Sequence, residues 1–397
     1  MTTDQEPLRL FMVAGEHSGD QLGGHLIEAL HEMSARPLSL SGVGGEAMEA
    51  QGCKSLFALS EIAVMGPAAI LRRLPTLIRR VHETVDAAVA MRPDALVILD
   101  SPEFTHAVAK RVRRRLPDLP VIDYVSPSVW AWRPGRARRM RRYIDHVLAI
   151  LPFEPEAHLR LGGPDCTYIG HPLIERLEWI RSRDGKAFRR KLGVKADQPL
   201  IAVLPGSRAT EVNRLMGVFG KTIARILSAK NEAQVVIPAA PGIEHLIERH
   251  LQDWPIKPHI VTGREDRFTA FRAADAALAA SGTVTLELAL AQTPMVVAYR
   301  MEAVVAMFMW MLKAHSIVLP NLVLGENIFP EYVHGACNAD NLSGALLPLL
   351  DKSSPEFKRQ IEALKGLDEN MRLPSGTPST RAARIVLDLV PAVRTAD

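Results

Sequence analysis

The strongest constraint on this chain is an alternation of short apolar segments with helical patterns that runs almost its whole length. In the amino-terminal half, strands are expected at Leu8–Ala14, Ala95–Asp100, Val121–Tyr124, His146–Ile150 and Thr167–Ile169, with helices beginning near Asp20, Phe104 and Arg136. In the carboxyl-terminal half the expected strands are Leu200–Leu204, Gln234–Pro238, His259–Val261, Ala276–Ala279 and Met295–Tyr299. The helices between them include Glu211–Lys230, Gly242–His250 and Thr283–Ala291. Continuous apolar strands separated by helices are buried on both faces, so they build parallel sheets covered on both sides. Two such series predict an α/β protein with two doubly wound, Rossmann-like domains. A charged stretch from Glu175 to Lys195 separates them, and a strandless helical tail from Pro355 on can return to brace the first domain.

Composition narrows the class. A chain of 397 residues suits two domains, given a usual size of roughly 100–200 residues each. With 47% hydrophobic and 23% charged residues it has an ordinary globular core. Cys53, Cys166 and Cys337 lie far apart without a CxxC or Cys/His cluster, which fits a reduced compartment and neither a disulfide framework nor a zinc site. Asp4 and Glu6 stand where a signal peptide would be basic and then apolar. The longest uncharged apolar runs, Ile62–Leu71 and Ala303–Leu312, are about half the ~20 residues of a spanning helix. A cytoplasmic protein is expected. Its net charge of +4 is unevenly placed: residues 72–142 hold sixteen Lys and Arg against seven Asp and Glu. That block calls for an anionic partner, whether nucleic acid, acidic lipid or a phosphorylated ligand.

Three glycine turns follow strands and open helices. Ala14-Gly15-Glu16-His17-Ser18-Gly19-Asp20 lacks the GxGxxG spacing, and its Glu16 and Asp20 would repel phosphate, so it suits sugar hydroxyls. A tight turn capped by Ser18 or Asp20 is the alternative. Pro205-Gly206-Ser207-Arg208 is cationic: Gly206 permits close approach and Arg208 can fork onto phosphate oxygens, unless it pairs with Glu211. Ser281-Gly282-Thr283 offers hydroxyls and N–H groups to a pyrophosphate, and Glu287 can accept from ribose hydroxyls. Simple capping is the other account of Ser281 and Thr283. Taken together, the last two turns form a nucleoside-diphosphate signature.

Other residues carry chemistry. Asp100 ends a strand, where it can act as a general base toward a sugar hydroxyl or cap the helix that Pro102 begins. Tyr124–Arg133 contains two of the five tryptophans, suited to a sugar ring or acyl chain, or to packing beneath a loop. His171 can bind phosphate or cap a turn. In Ile62–Val81, Ile70, Leu71, Leu74 and Leu77 alternate with Arg72, Arg73, Arg79 and Arg80. That is either an interfacial helix among anionic headgroups or a core-facing helix with a solvated basic face. The Met- and Phe-rich run Ala303–Leu312 is a second candidate for apolar ligand contact.

AGEHSGD (14–20), YVSPSVWAWR (124–133), GHP (170–172), LPGSR with Glu211, SGT with Glu287, and PN and PE (320–331) occur in the order seen in the lipid-A-disaccharide synthase family. The chain resembles that family from about residue 9 to residue 350. The resemblance implies a GT-B glycosyltransferase with an acceptor- and membrane-facing domain (1–178), a UDP-sugar-binding domain (179–372) and a helical tail (373–397). It would join UDP-2,3-diacylglucosamine to 2,3-diacylglucosamine 1-phosphate (lipid X), with inversion, giving a β-1′,6-linked disaccharide 1-phosphate and UDP. By the same resemblance Asp100 is the catalytic base. Gly206, Ser207, Arg208, Ser281, Gly282, Thr283 and Glu287 bind the UDP-sugar, and Glu16, Ser18 and Asn321 contact substrate. No metal or other cofactor is implied; Arg208 and helix N-termini would do a metal's work. Ile70, Leu71, Arg72, Arg73, Leu74 and Leu77 would meet acyl chains at the anionic inner face of the inner membrane. Two positions depart from the family pattern: its SPDFN reads Ser101-Pro102-Glu103-Phe104-Thr105 here, and His334 replaces a usual Gln. The alternative is another GT-B enzyme acting on UDP-N-acetylglucosamine, an epimerase or a lipid II-type transferase, which would share the second-domain turns but not YVSPSVWAWR. Nucleic acid is not an expected partner, because arginines among acyl-chain-sized apolar residues suit phospholipid. The sequence leaves the oligomeric state open, a homodimer included.

Overall fold

The computed structural model describes residues 6–63, 67–300 and 314–390. They fall into two compact units, one formed by the residues up to Pro172 with those from Leu373 onward, the other by Leu173–Arg372. In the first unit β1 (Leu8–Ala14), β2 (Leu38–Val43), β3 (Lys54–Ser55), β4 (Ala95–Leu99), β5 (Val121–Tyr124), β6 (His146–Ala149) and β7 (Asp165–Tyr168) pair in the order β3-β2-β1-β4-β5-β6-β7. In the second, β8 (Leu200–Leu204), β9 (Gln234–Pro238), β10 (His259–Val261), β11 (Ala276–Ala280), β12 (Met295–Tyr299) and β13 (Glu331–Val333) pair as β10-β9-β8-β11-β12-β13. Every pairing is parallel. The two doubly wound domains expected from the alternation are both present.

Strand parity builds two apolar layers in the first unit. Phe11 and Val13 of β1 and Leu96 and Ile98 of β4 point to one face, where helices α3 (Pro67–Met91) and α4 (Pro102–Arg115) bring Val81, Val85, Val108 and Val112. Leu10, Met12, Val97 and Leu99 point to the other. There α1 (His17–Met33) contributes Leu26, Ile27 and Leu30, and the carboxyl-terminal helix Pro378–Leu389 contributes Ala382, Ala383 and Val386. That helix leaves the second unit's stretch of chain to pack on α1, so the returning tail is seen. Arg381 fixes it further by donating to the Tyr168 carbonyl at 3.2 Å. The remaining helices of this unit are α2 (Glu46–Ala50), α5 (Gly135–Met140) and α6 (Glu154–Arg160). Those of the second unit begin with α7 (Leu177–Arg181), α8 (Gly185–Lys191), α9 (Ala209–Ala229), α10 (Glu244–His250), α11 (Arg264–Ala273) and α12 (Thr283–Leu290).

Asp20 differs from its sequence reading. Its side chain is buried, and its carboxylate accepts from the backbone N–H groups of Gly45 (2.7 Å), Ala47 (3.1 Å) and Met48 (3.1 Å). It therefore caps α2 from a distance instead of facing a ligand or capping α1, whose cap residue is Glu16. Removing an oxygen acceptor that holds three helix-start N–H groups is expected to cost about 2 kcal/mol. Asp20→Ala should lower the urea midpoint accordingly while turnover per folded molecule is retained. An unchanged midpoint would return Asp20 to the ligand side of the turn.

Candidate active site

In a doubly wound sheet the strand order reverses at one place, and loops leaving the carboxyl ends of the two flanking strands diverge there to open a crevice. The reversal lies between β1 and β4 in the first unit and between β8 and β11 in the second. The four turns leaving those strands hold Glu16 and Ser18, Asp100, Gly206 to Arg208, and Ser281 to Thr283.

In the first unit, absent side chains bring two of these turns together. A Cβ on Gly15 would fall 2.2 Å from Ser101 Cβ, and one on Gly19 would fall 2.8 Å from the Leu99 carbonyl oxygen. The first turn of α1 thus lies directly on the end of β4. Ser18 Oγ donates to Asp100 Oδ2 at 2.6 Å, and the Ser101 N–H donates to Oδ1 at 2.7 Å. Asp100 and Ser101 both adopt left-handed backbone, with φ of 57° and 42°, a conformation that costs on the order of 1–3 kcal/mol for a residue with a side chain. Thr105 holds that turn, its hydroxyl donating to the carbonyls of Asp100 (2.8 Å) and Ser101 (3.1 Å). The cap position of α4 belongs to Ser101, so the capping alternative for Asp100 is not what the geometry shows. Ser18 is exposed, Asp100 and Glu16 half-buried.

The two tryptophans of the 124–133 loop separate. Trp130 packs edge-on against Phe153 at 5.0 Å and donates to Glu154 Oε1 at 3.1 Å. Trp132 is 43% exposed, with the Arg133 guanidinium 4.2 Å above its ring. Val125 and Arg133 have φ of 83° and 54°, so the loop is strained near both ends. Beneath it Glu154 is buried, with Oε2 accepting from the Leu151 N–H at 3.0 Å. Burial pushes its carboxyl up to about 7, against the opposing pull of the Leu151 and Trp130 N–H groups. His158, buried beside Ser126 Oγ at 2.8 Å, is shifted down by burial. His171 is buried as well, and that burial lowers it to about 4, so it is neutral at pH 7 and offers no cation to a phosphate.

Helix α3 extends to Met91, well beyond the segment expected. Its backbone passes through Ile70 and Leu71, whose side chains lie outside the described residues, as does the whole run Ala303–Leu312. Leu77 is half-buried against the core, where the sequence reading had it meeting acyl chains. Leu74 and Ile78, one turn apart, are 43% and 51% exposed, beside exposed Arg72, Arg73 and Arg79. Arg80 is instead held by Glu61 and Glu83 and lies over the Phe57 ring. No described helix is long and apolar enough to cross a membrane.

In the second unit Gly206 has φ of 108°, and a Cβ there would meet the Glu211 Cβ at 2.6 Å. Glu211 Oε2 accepts from the N–H groups of Ser207 (3.0 Å) and Arg208 (3.3 Å), so those two donors are already engaged. The Arg208 guanidinium lies 3.5 Å from Glu211 and its side chain is 58% exposed, a pairing weak enough to yield to an anion. At α12 the cap residue is Gly282, with no side-chain cap. The Ser281 hydroxyl donates to the Ile317 carbonyl at 2.8 Å, so the simple capping account of Ser281 and Thr283 does not hold.

Asn321 is fully buried. Its amide donates to Ser316 Oγ (3.2 Å) and the Phe329 carbonyl (2.9 Å) and accepts from the N–H groups of Ile328 (3.0 Å) and Phe329 (2.9 Å). Every polar atom of that side chain is engaged within its own loop, so it pins the loop where the sequence reading had it touching substrate. Glu331 completes the set, accepting from Ser316 Oγ (2.7 Å) and the Ile317 N–H (3.0 Å). Glu287 is mostly buried and bound by Arg267; burial raises its carboxyl and Arg267 opposes the shift. Sequence reasoning missed Arg267, which carries no motif, and Glu154, whose signal was an acidic residue just after the end of a strand. Among the described residues no three His, Cys, Asp or Glu side chains come together as a metal site.

Two parallel sheets, each with ligand-type turns at its point of reversal, define a two-domain α/β protein of the GT-B class. Solved structures share the fold: a UDP-GlcNAc 2-epimerase from Neisseria meningitidis, at a TM-score of 0.61 and 13% identity, matches over 96% of this chain and 98% of its own. A glycosyltransferase from Rickettsia africae gives 0.58 and 10%, over 97% and 98%. The sequence profile of the lipid-A-disaccharide synthetase family matches residues 10–383, and the chain belongs to that glycosyltransferase family. Curated relatives called lipid-A-disaccharide synthase include those of Rhodopseudomonas palustris strain HaA2, 47% identical over 96% of both chains, and Nitrobacter hamburgensis, 48% identical over 97% of this chain and 96% of that one. The resemblance carried by the motifs is thereby confirmed.

The buried Glu154 makes stability depend on pH. Its carboxyl sits at about 7 in the folded chain and near 4.3 when unfolded. The folded state holds the extra proton between those values, so this group's stabilisation is complete below the lower one and is lost as pH rises through about 7. Glu154→Gln should therefore gain on the wild type by about 3 kcal/mol between pH 4 and pH 8. Melting curves that keep a constant separation across that range would show Glu154 to be ionised throughout.

Proposed function

We propose that the protein is an inverting glycosyltransferase that condenses UDP-2,3-diacylglucosamine with lipid X to give the β-1′,6-linked lipid A disaccharide 1-phosphate and UDP. The observation that carries this reading is the Ser18–Asp100 pair at the first sheet's reversal, within a chain of the lipid-A-disaccharide synthetase family. In the step proposed, the acceptor 6-hydroxyl oxygen bonds to the donor's anomeric carbon as the bond from that carbon to the UDP oxygen breaks. Asp100 takes the hydroxyl proton, and UDP leaves with the electron pair. Ser18 and Thr105 fix the carboxylate's direction, Ser18 through its hydrogen bond and Thr105 through the turn.

For the leaving group, Arg208 and the uncapped start of α12 at Gly282 and Thr283 stabilise the diphosphate. Gly206, Ser207 and Ser281 shape the two turns, and Glu287, oriented by Arg267, accepts from the ribose hydroxyls. Asn321 acts through the loop it pins. Arginine and helix N-termini supply what a divalent cation supplies elsewhere, so the reading includes no metal. Leu74 and Ile78, with Arg72, Arg73 and Arg79, suit shallow contact with an anionic lipid surface on the inner face of the inner membrane.

The decisive assay incubates the protein with UDP-2,3-diacylglucosamine and lipid X in the presence of chelator and looks for the disaccharide by mass. Product with released UDP is expected, and Asp100→Asn should reduce turnover by about 10²–10⁴. A loss under tenfold would remove Asp100 as the base. UDP release from plain UDP-N-acetylglucosamine without disaccharide would point to another GT-B enzyme.

Arg208→Ala is expected to weaken UDP binding about 10–100-fold, the worth of a charged hydrogen-bonded contact of roughly 1.5–3 kcal/mol. Calorimetry that finds the affinity unchanged would leave the diphosphate to backbone donors alone.

A further inference from the structure

The core of the first unit holds a pair of titratable side chains that the proposed chemistry does not use. Asp123 of β5 and His106 of α4 are both buried, and the carboxylate Oδ2 lies 3.0 Å from the ring Nε2. Among the described residues neither atom has a hydrogen bond elsewhere, and the contact between them is close but off the axis of a linear hydrogen bond. The other ring nitrogen, Nδ1, lies 3.2 Å from the hydroxyl of buried Tyr143, which fixes the imidazole from its far side. A carboxyl group is buried at such cost that it persists only beside a partner, and here the imidazole is the basic group set against it.

The pair adjoins the Asp100 turn along both of its chain segments. Asp123 stands opposite Ile98 in the β4–β5 register, and the carbonyl of the next residue, Tyr124, accepts from the Asp100 N–H at 3.0 Å. His106 follows Thr105, whose hydroxyl donates to the carbonyls of Asp100 and Ser101. A closed ring of contacts results. It runs from β5 to Asp100 through the backbone, from Asp100 to α4 through Thr105, and from α4 back to β5 through His106 and Asp123.

The remaining contacts of α4 with the sheet are made by apolar side chains such as Val108 and Val112. Apolar burial is non-directional, so it holds the helix down without fixing its rotation. The two left-handed residues at the head of α4 need more than that, because strain persists only where the surroundings over-determine it. We propose that His106 and Asp123 are positioning residues for the base: their contact fixes how α4 sits on β5 and, through Thr105, the direction of the Asp100 carboxylate. Neither residue takes the proton or touches substrate. The assignment rests on the reading of Asp100 as the base.

His106→Leu combined with Asp123→Val replaces the pair by apolar groups, an exchange that proteins often accept without loss of stability. The urea midpoint should be kept, while kcat for disaccharide synthesis falls about 10–100-fold, the effect of a small misplacement of a reacting group. KM for both substrates should stay within about twofold. The same paired change is then made in Asp100→Asn. With the base gone its direction no longer matters, so the residual rate should move by less than about twofold. His106→Gln, which returns an N–H toward Asp123, should keep most of the wild-type kcat, and the shorter His106→Asn should not; that comparison decides the matter if the paired variant does not fold. A paired variant that is folded and as fast as the wild type, an equal loss with and without Asp100, or equal kcat for the Gln and Asn variants would overturn the proposal. An Asp100→Asn loss under tenfold would remove the base reading, and this proposal would fall with it. A full Asp100→Asn loss beside an unaffected paired variant would sink the positioning role alone.

Discussion

The close approach of two strand ends organises the amino-terminal unit. Strands β1 and β4 are neighbours at the reversal, so the turns that leave them compete for the same space. Gly15 and Gly19 resolve the competition because they have no Cβ to strike Ser101 or the Leu99 carbonyl. What the close fit yields is a serine hydroxyl in contact with a carboxylate across more than eighty residues of sequence. Two successive left-handed residues are the strained part of this arrangement. Thr105, hydrogen-bonded to both carbonyls, and the fully buried β4 hold them in place. Strain of this kind survives only where the surroundings over-determine it, and here a helix, a strand and a threonine all do.

The two turns at the reversal of the carboxyl-terminal sheet are built differently. The Ser207 and Arg208 N–H groups already serve Glu211, so the turn after β8 contributes a side chain and not a backbone cradle. The turn after β11 does the reverse: Ser281 is tied to Ile317, and the uncapped helix start is what remains open. A flexible guanidinium and a fixed helix N-terminus are complementary, one able to follow a charge as it moves and the other needing no reorganisation. Behind them Ser316, Asn321 and Glu331 form a closed polar set that holds the loop bonded to Ser281. A polar core of this sort stabilises only when every member is satisfied, and Asn321, with all four of its bonds made, meets that condition.

Much of this was legible in the sequence, for a physical reason. Strands buried on both faces must be continuous apolar runs, so β1, β4, β8, β9 and β12 announce themselves, and the turns that follow them inherit a location. Strand β2 did not, because its alternating Leu and Ser with a glycine encodes a half-buried strand, and β13 is a short strand at a sheet edge. Motif residues were found readily, whereas their state was not. Asp20 and Asn321 sit in motifs yet face inward, and only the folded chain tells a ligand-facing polar group from a buried one with its bonds made. Leu77 and Ile78 show the same limit: consecutive apolar residues on one helix, one half-buried against the core and the other in solvent. Arg267 had no signal at all, since an arginine within a helix is ordinary until the partner carboxylate is known.

The 124–133 loop shows how a surface feature is supported from below. An exposed aromatic such as Trp132 is useful only if the loop that bears it keeps its shape, and strained residues near both of its ends work against that. Glu154 answers by accepting two hydrogen bonds, one from the indole of Trp130 inside the loop and one from the Leu151 N–H in the turn between β6 and the helix that Glu154 begins. Burying that carboxyl disfavours its charged form, and the protein accepts the penalty. A neutral anchor would avoid it, but a carboxyl can accept from both donors whichever way its proton lies, which an amide cannot do without turning an N–H toward one of them. The buried acid is therefore best understood as a structural choice that trades stability at high pH for a tie between the loop, at Trp130, and the turn after β6, at Leu151.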